Sequence, residues 1–120
     1  MAEAQAQKYR GSCHCGNVKY EVELGLSEVL EGNCSMCKRT GALLAFVPED
    51  KFHLESGKDL PDYTFNKKHI HYLFCPTCGI RSFARGAMPD GKKMVAINTR
   101  CLEGVDAAKL KVKHFDCAKL

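Results

Sequence analysis

Two short cysteine pairs set far apart constrain this chain more than any other feature: Cys13-His14-Cys15-Gly16 near the start and Cys75-Pro76-Thr77-Cys78-Gly79 past the middle. Cysteines separated by one or two residues can present both sulfurs to a single metal ion from one tight turn. A glycine directly after lets the backbone bend so that its amides face the thiolates. Each pair supplies two ligands, and a closed tetrahedral zinc site needs four. Cys13, Cys15, Cys75 and Cys78 together complete one such shell, and His14 is then expected to be an exposed turn residue. Thiolate ligands favour zinc over oxygen-preferring ions.

Disulfides are the competing explanation for eight cysteines in 120 residues. The N-terminal stretch Met1-Ala2-Glu3-Ala4-Gln5-Ala6-Gln7 has no apolar core of signal-peptide length. No apolar run approaches the length that spans a bilayer. The expected location is therefore the cytoplasm, where disulfides are rare, and metal binding is the better reading.

The rest of the chain reads as many short strands. Val18, Tyr20, Val22 and Leu24 alternate with Lys19, Glu21 and Glu23, a period of two that predicts a half-buried strand. Lys8–Cys13 precedes it across the first cysteine turn. Further strands are expected at 29–34, at 52–55, at 63–65 with 70–74 as a hairpin, and at 81–85, 94–99 and 111–115. Ala42-Leu43-Leu44-Ala45-Phe46-Val47 is apolar throughout and stops at Pro48, which predicts a buried strand. One helical turn over 35–40, ended by Gly41, and a short helix over 106–110 complete the list. The fold class is all-β: packed antiparallel sheets in one domain over 9–116, with 1–8 as a frayed end.

Four cysteines remain. Cys34-Ser35-Met36-Cys37 is a third close pair. A redox dithiol would want a thioredoxin-like βαβ setting, which the strand pattern lacks, so a second metal is preferred. Cys101, directly after an apolar strand, is the candidate third ligand. Three protein ligands leave one coordination position open, as catalytic zinc requires. Cys117 reads as a tail thiol.

The formal net charge of +4 is spread along the chain without a long basic run. That argues against nucleic acid as a partner and suits a small anionic ligand. Lys38, Arg39, Arg81 and Arg100 stand next to the cysteine motifs and are the candidate carboxylate-binding residues. No Ser/His/Asp spacing and no phosphate-cradling glycine loop is present. His53, His69, His71 and His114 fall in strand or hairpin contexts and read as surface or packing residues.

Three stretches together resemble the glutathione-dependent formaldehyde-activating family, which includes centromere protein V and its relatives. They are Gly11-Ser12-Cys13-His14-Cys15-Gly16, Cys34-Ser35-Met36-Cys37-Lys38 and Phe74-Cys75-Pro76-Thr77-Cys78-Gly79. Phe46-Val47-Pro48, Tyr63-Thr64-Phe65-Asn66 and Arg100-Cys101-Leu102 extend the likeness from about Tyr9 to about Phe115. The resemblance implies a tent-like arrangement of sheets with a structural zinc on Cys13, Cys15, Cys75 and Cys78. It implies a second, catalytic zinc on a C-x-C-x-x-C run, in which Gly32 here replaces the first cysteine. Cys34, Cys37 and Cys101 are the ligands expected for that second ion.

The activity implied is that of a carbon–sulfur lyase resembling S-(hydroxymethyl)glutathione synthase, joining glutathione to formaldehyde or acting on a similar thiol–aldehyde adduct. The alternative is a zinc-stabilised module without chemistry that contacts protein or nucleic acid. Either reading leaves a homo-oligomer open and gives no role to a membrane.

Overall fold

Alternation along the first two strands decides which of their faces meet the rest of the protein. In the computed structural model, which describes residues 7–26, 28–33, 35–57, 60–64, 70–87 and 90–115, strand β1 (Gln7–Ser12) pairs antiparallel with β2 (Lys19–Leu24). Tyr20, Val22 and Leu24 are buried while Lys19 is exposed. Gln7 and Lys8, assigned by sequence to a frayed end, belong to β1 because they face Leu24 and Glu23 across the ladder.

The chain then runs through β3 (Glu28–Gly32), one helix α1 (Ser35–Thr40), β4 (Leu44–Pro48), a 3-10 turn over Glu49–Lys51, and β5 (Phe52–Ser56). Next come β6 (Asp62–Tyr63), β7 (Ile70–Leu73), β8 (Phe83–Ala87) and β9 (Lys93–Asn98). Two more 3-10 turns, Thr99–Cys101 and Ala107–Lys109, lead to β10 (Lys111–Phe115). The turns at 49–51 and 99–101 have no counterpart in the sequence reading. At the latter, Asn98 caps the turn by accepting from the Arg100 amide, an interaction that hydropathy does not register. Of the expected strand 63–65, only Tyr63 lies in β6, and Phe65 falls outside the described residues.

The strands form two sheets: β1-β2-β5, and β10-β3-β4-β9-β8-β7-β6. One pair departs from the expected antiparallel scheme, since β10 runs parallel to β3. A parallel neighbour needs a long connection, and here almost the whole domain lies between the two.

The core lies where the small sheet meets one face of the large one. Tyr20 and Phe52 stack against Phe83, with ring centres 5.1, 5.9 and 4.7 Å apart for the three pairs. Ala45, Val47, Val95 and Ile97 close around them. Gly11 in β1 is required by this packing: a Cβ there would lie 2.3 Å from the Tyr20 ring.

Strand β4 is not buried on both faces. Ala45 and Val47 point into the core, but Phe46 between them is 51% exposed. The same alternation runs along β9, where Val95 and Ile97 are fully buried and Met94, Ala96 and Asn98 face the other way. The large sheet therefore has a core face and an open face, and the open face carries the cleft described below. No helix among the described residues is long and apolar enough to cross a membrane.

Candidate metal centre and cleft

The two glycine-ended turns meet at one edge of the core. Backbone bonds hold each in shape: the Cys13 amide donates to the Val18 carbonyl at 3.1 Å, and the Gly79 amide to the Cys75 carbonyl at 2.8 Å. Gly16 and Gly79 both adopt positive φ, 84° and 80°, a conformation that side-chain-bearing residues pay for in strain. The result brings the sulfurs of Cys13, Cys15, Cys75 and Cys78 within 4.8 Å of one another. Cys13 Sγ is 3.6 Å from Cys15 Sγ, which is 3.5 Å from Cys75 Sγ. Sulfurs about 2.3 Å from a tetrahedral zinc lie about 3.8 Å apart, so the cluster has the size of a filled zinc shell.

The surroundings are those of thiolates. The Val18 amide points at Cys13 Sγ from 3.3 Å, and the Thr77 and Cys78 amides at Cys75 Sγ from 3.4 and 3.5 Å. The Cys78 and Thr77 amides bring the Cys75 thiol down to about 6 against the opposing effect of burial. Cys78 is lowered in the same way, by the amides of Cys15 and Ile80. Cys15 shifts the other way. Although the Asn17 amide opposes it, burial and the sulfurs of Cys75, Cys13 and Cys78 push that thiol up to about 11. A metal cation bound there displaces thiol protons and relieves the crowding of negative charge. Asn17, whose side-chain amide reaches Cys75 Sγ at 3.9 Å, was not singled out by sequence; its place in the Cys15-Gly16-Asn17 turn is the signal that points to it.

The segment that leaves Cys78 enters a second site. Gly79, Ile80 and Arg81 form part of the wall of a cleft of about 720 Å³ on the open face of the large sheet. Met36, Cys37 and Thr40 of α1 face them across it. Asn98, at the end of β9, ties this wall down. Its side-chain amide donates to the Arg81 carbonyl at 3.0 Å, and its side-chain oxygen accepts from the Arg100 amide at 3.2 Å. Sequence gave no hint of this, because the bond joins two segments through an ordinary asparagine.

Of the four candidate cations, Arg81 alone lines the cleft among the described residues. It donates to the Tyr72 carbonyl at 2.8 Å, and its guanidinium carbon lies 5.1 Å from the Phe74 ring centre. Lys38 is exposed on α1. Arg39 donates to the Ser35 carbonyl at 2.9 Å, and Arg100 to that of Gly41 at 3.4 Å.

Cys34 and Cys117 lie outside the described residues. Cys101 is half-buried on the side of the first cluster. The following residue, Leu102, bridges to Gly11, and the Glu103 amide donates to the Arg10 carbonyl at 2.8 Å. Those contacts draw Cys101 toward the Cys13 turn. Burial raises its thiol; Ser82 opposes this, and negative charge at Cys13 and Cys78 adds to it. Ser82 Oγ is buried and finds no well-formed hydrogen bond among the described residues, and its side chain is the one that interacts with the Cys101 thiol. Cys37 lines the cleft and Cys101 does not.

Fold and site together define a β-sheet domain whose two sheets are tied by a four-sulfur cluster of the right size for a metal ion. The chain belongs to the family described as glutathione-dependent formaldehyde-activating enzyme, which matches residues 8–118. It is also similar to the crystal structure of a Rhodobacter sphaeroides protein, with 30% identity and a TM-score of 0.75. That match covers 89% of this chain and 100% of the other.

Proposed function

We propose that this protein is a zinc-dependent enzyme that joins a thiol to an aldehyde, with glutathione and formaldehyde, the pair in its family's description, as the reference reaction. One observation carries this reading: a single short segment supplies Cys75 and Cys78 to the metal cluster and then Gly79, Ile80 and Arg81 to a cleft that holds Cys37. A purely structural zinc turn has no need to be continuous with such a cleft.

In this reading Cys13, Cys15, Cys75 and Cys78 hold a structural zinc, and Cys34 and Cys37 hold a second ion, with Cys101 as the third sulfur that the sequence offers. Zinc bound there supplies a Lewis-acid centre that keeps a thiol ionised near neutral pH. The chain's own residues do the rest. Arg81, fixed by Tyr72 and Phe74 and braced from behind through Asn98, receives a carboxylate of the thiol substrate. The apolar lining of the cleft packs against the rest of the adduct. The reaction forms a carbon–sulfur bond, opens the carbonyl double bond and moves the thiol proton to the carbonyl oxygen.

The test is exchange spectroscopy by NMR on glutathione with formaldehyde, with and without zinc-loaded protein, beside a metal count. Faster exchange that is lost in Cys37→Ser supports the reading. No acceleration by protein carrying two zinc ions would rule out this substrate pair. One zinc per chain with no acceleration would favour the binding module instead.

A further inference from the structure

The cleft owes its shape to one row of side chains across the large sheet. Phe46, Ala96, Ala84 and Tyr72 are successive register partners on β4, β9, β8 and β7, and all four line the cleft. Two alanines form the floor, and two rings stand at its sides. One row further along, Met94 is paired with Gly86 and Gly86 with Ile70, again small between large. With strands about 4.8 Å apart, this makes a trough about 14 Å wide between the β4 and β7 backbones.

The walls of this trough are held open to solvent. Phe46 keeps 51% of its surface exposed, Ile70 44% and Ile80 38%. Large apolar side chains around a concave floor, with a few polar groups at the margin, are the pattern of a small-molecule site. The polar groups stand on opposite sides. Cys37 comes from α1, which packs on β3 beyond β4, and Arg81 is anchored to β7. Among the described residues Arg81 is the one charged group in the lining. Formaldehyde has no apolar surface to bury, so it makes no use of the floor between them.

We propose that the cleft takes an aldehyde bearing an alkyl or aryl chain of several carbons, as its adduct with a carboxylate-carrying thiol. The chain lies over Ala84 and Ala96 between Phe46 and Ile70, and the carboxylate meets Arg81. This rests on the thiol–aldehyde reading above and changes its substrate class. The chemistry stays balanced: sulfur bonds to the aldehyde carbon, the carbonyl oxygen takes the thiol proton, and nothing is oxidised or reduced.

Two probe series separate this inference from the glutathione reading. S-alkylglutathiones and S-alkylthioglycolates, from methyl to octyl, are titrated into the zinc-loaded protein by calorimetry. Affinity is expected to rise by up to about fourfold per methylene until the trough is filled. The slope is expected to flatten in Ala96→Leu, which fills the floor, and to fall in Phe46→Ser, which alters an exposed position; circular dichroism and zinc content check that both variants fold. Binding that is equal for methyl and octyl in both series overturns the inference, and so does a slope that neither variant changes. A rise confined to the thioglycolates keeps the inference and overturns glutathione as the thiol.

Discussion

The sulfurs of Cys15 and Cys75 lie 3.5 Å apart although 60 residues of chain separate them. That contact closes the N-terminal hairpin of the small sheet onto the turn that feeds the wall of the cleft. Loss of either sulfur would leave a metal ion there three sulfurs instead of four. Structural zinc in small domains contributes on the order of 10 kcal/mol, a large fraction of the stability of a chain this size. Cys75→Ser is expected to bind less zinc and to melt far below the parent, and exhaustive chelation of the parent is expected to do the same. A metal-free protein with an unchanged melting curve would refute the assignment.

The metal-free protein should also carry a pH signature of Cys75. Its folded value of about 6 lies below the ordinary 9.0, so its contribution to stability is complete above pH 9 and is lost as pH falls through about 6. Denaturant midpoints of the stripped parent and of Cys75→Ser are expected to differ at high pH and to converge in acid. Equal spacing at every pH would contradict the depressed value. In the metal-loaded protein the same protons compete with zinc, and acid should release it.

Gly11 sits where a methyl group would press on the buried Tyr20 ring at 2.3 Å. Overpacking of this kind costs about 1–3 kcal/mol. Gly11→Ala should lower the denaturant midpoint accordingly while zinc content per folded chain stays the same. A neutral effect would mean that Tyr20 and its partners Phe52 and Phe83 can shift together.

Cys101 offers a direct decision on the second metal. If it joins Cys34 and Cys37, Cys101→Ser should lower the zinc count from two to one per chain. An unchanged count would remove it from that site and leave it as a packing residue beside Ser82, where burial raises its thiol.

Among the described residues, Arg81 is the charged one that lines the cleft. Arg81→Gln is expected to raise KM for glutathione about tenfold with a smaller change in kcat, the mark of an interaction made equally in ground and transition states. Arg81→Lys should recover only part of this, because an ammonium cannot reproduce the planar fork stacked near Phe74. A loss confined to kcat would place Arg81 at the reacting atoms instead.

Much of the architecture is written locally. The alternation in 18–24 marks β2 and its buried face, and the strands at 52–56, 70–73, 93–98 and 111–115 follow from the same short-range rule. The four-cysteine set is legible for a related reason: ligand number and turn geometry demand that two incomplete pairs find each other. Strand order is not written that way. Nothing local in 111–115 says that it will lie parallel to β3, because sheet partners are chosen by the burial of whole faces.

The open face of the large sheet shows the same limit. An apolar run such as 42–47 cannot declare that Phe46 looks out over a trough while Ala45 and Val47 look in, since that depends on which sheet covers which side. Likewise Ala84 and Ala96 are unremarked in sequence and become a floor only through the register of three ladders. The chain alone determined most of its strands, the two cysteine pairs that cluster, and its family. Tertiary structure decided the cleft, the company of Cys101 and the place of Arg81, because these arise from side chains that meet only after distant strands have paired.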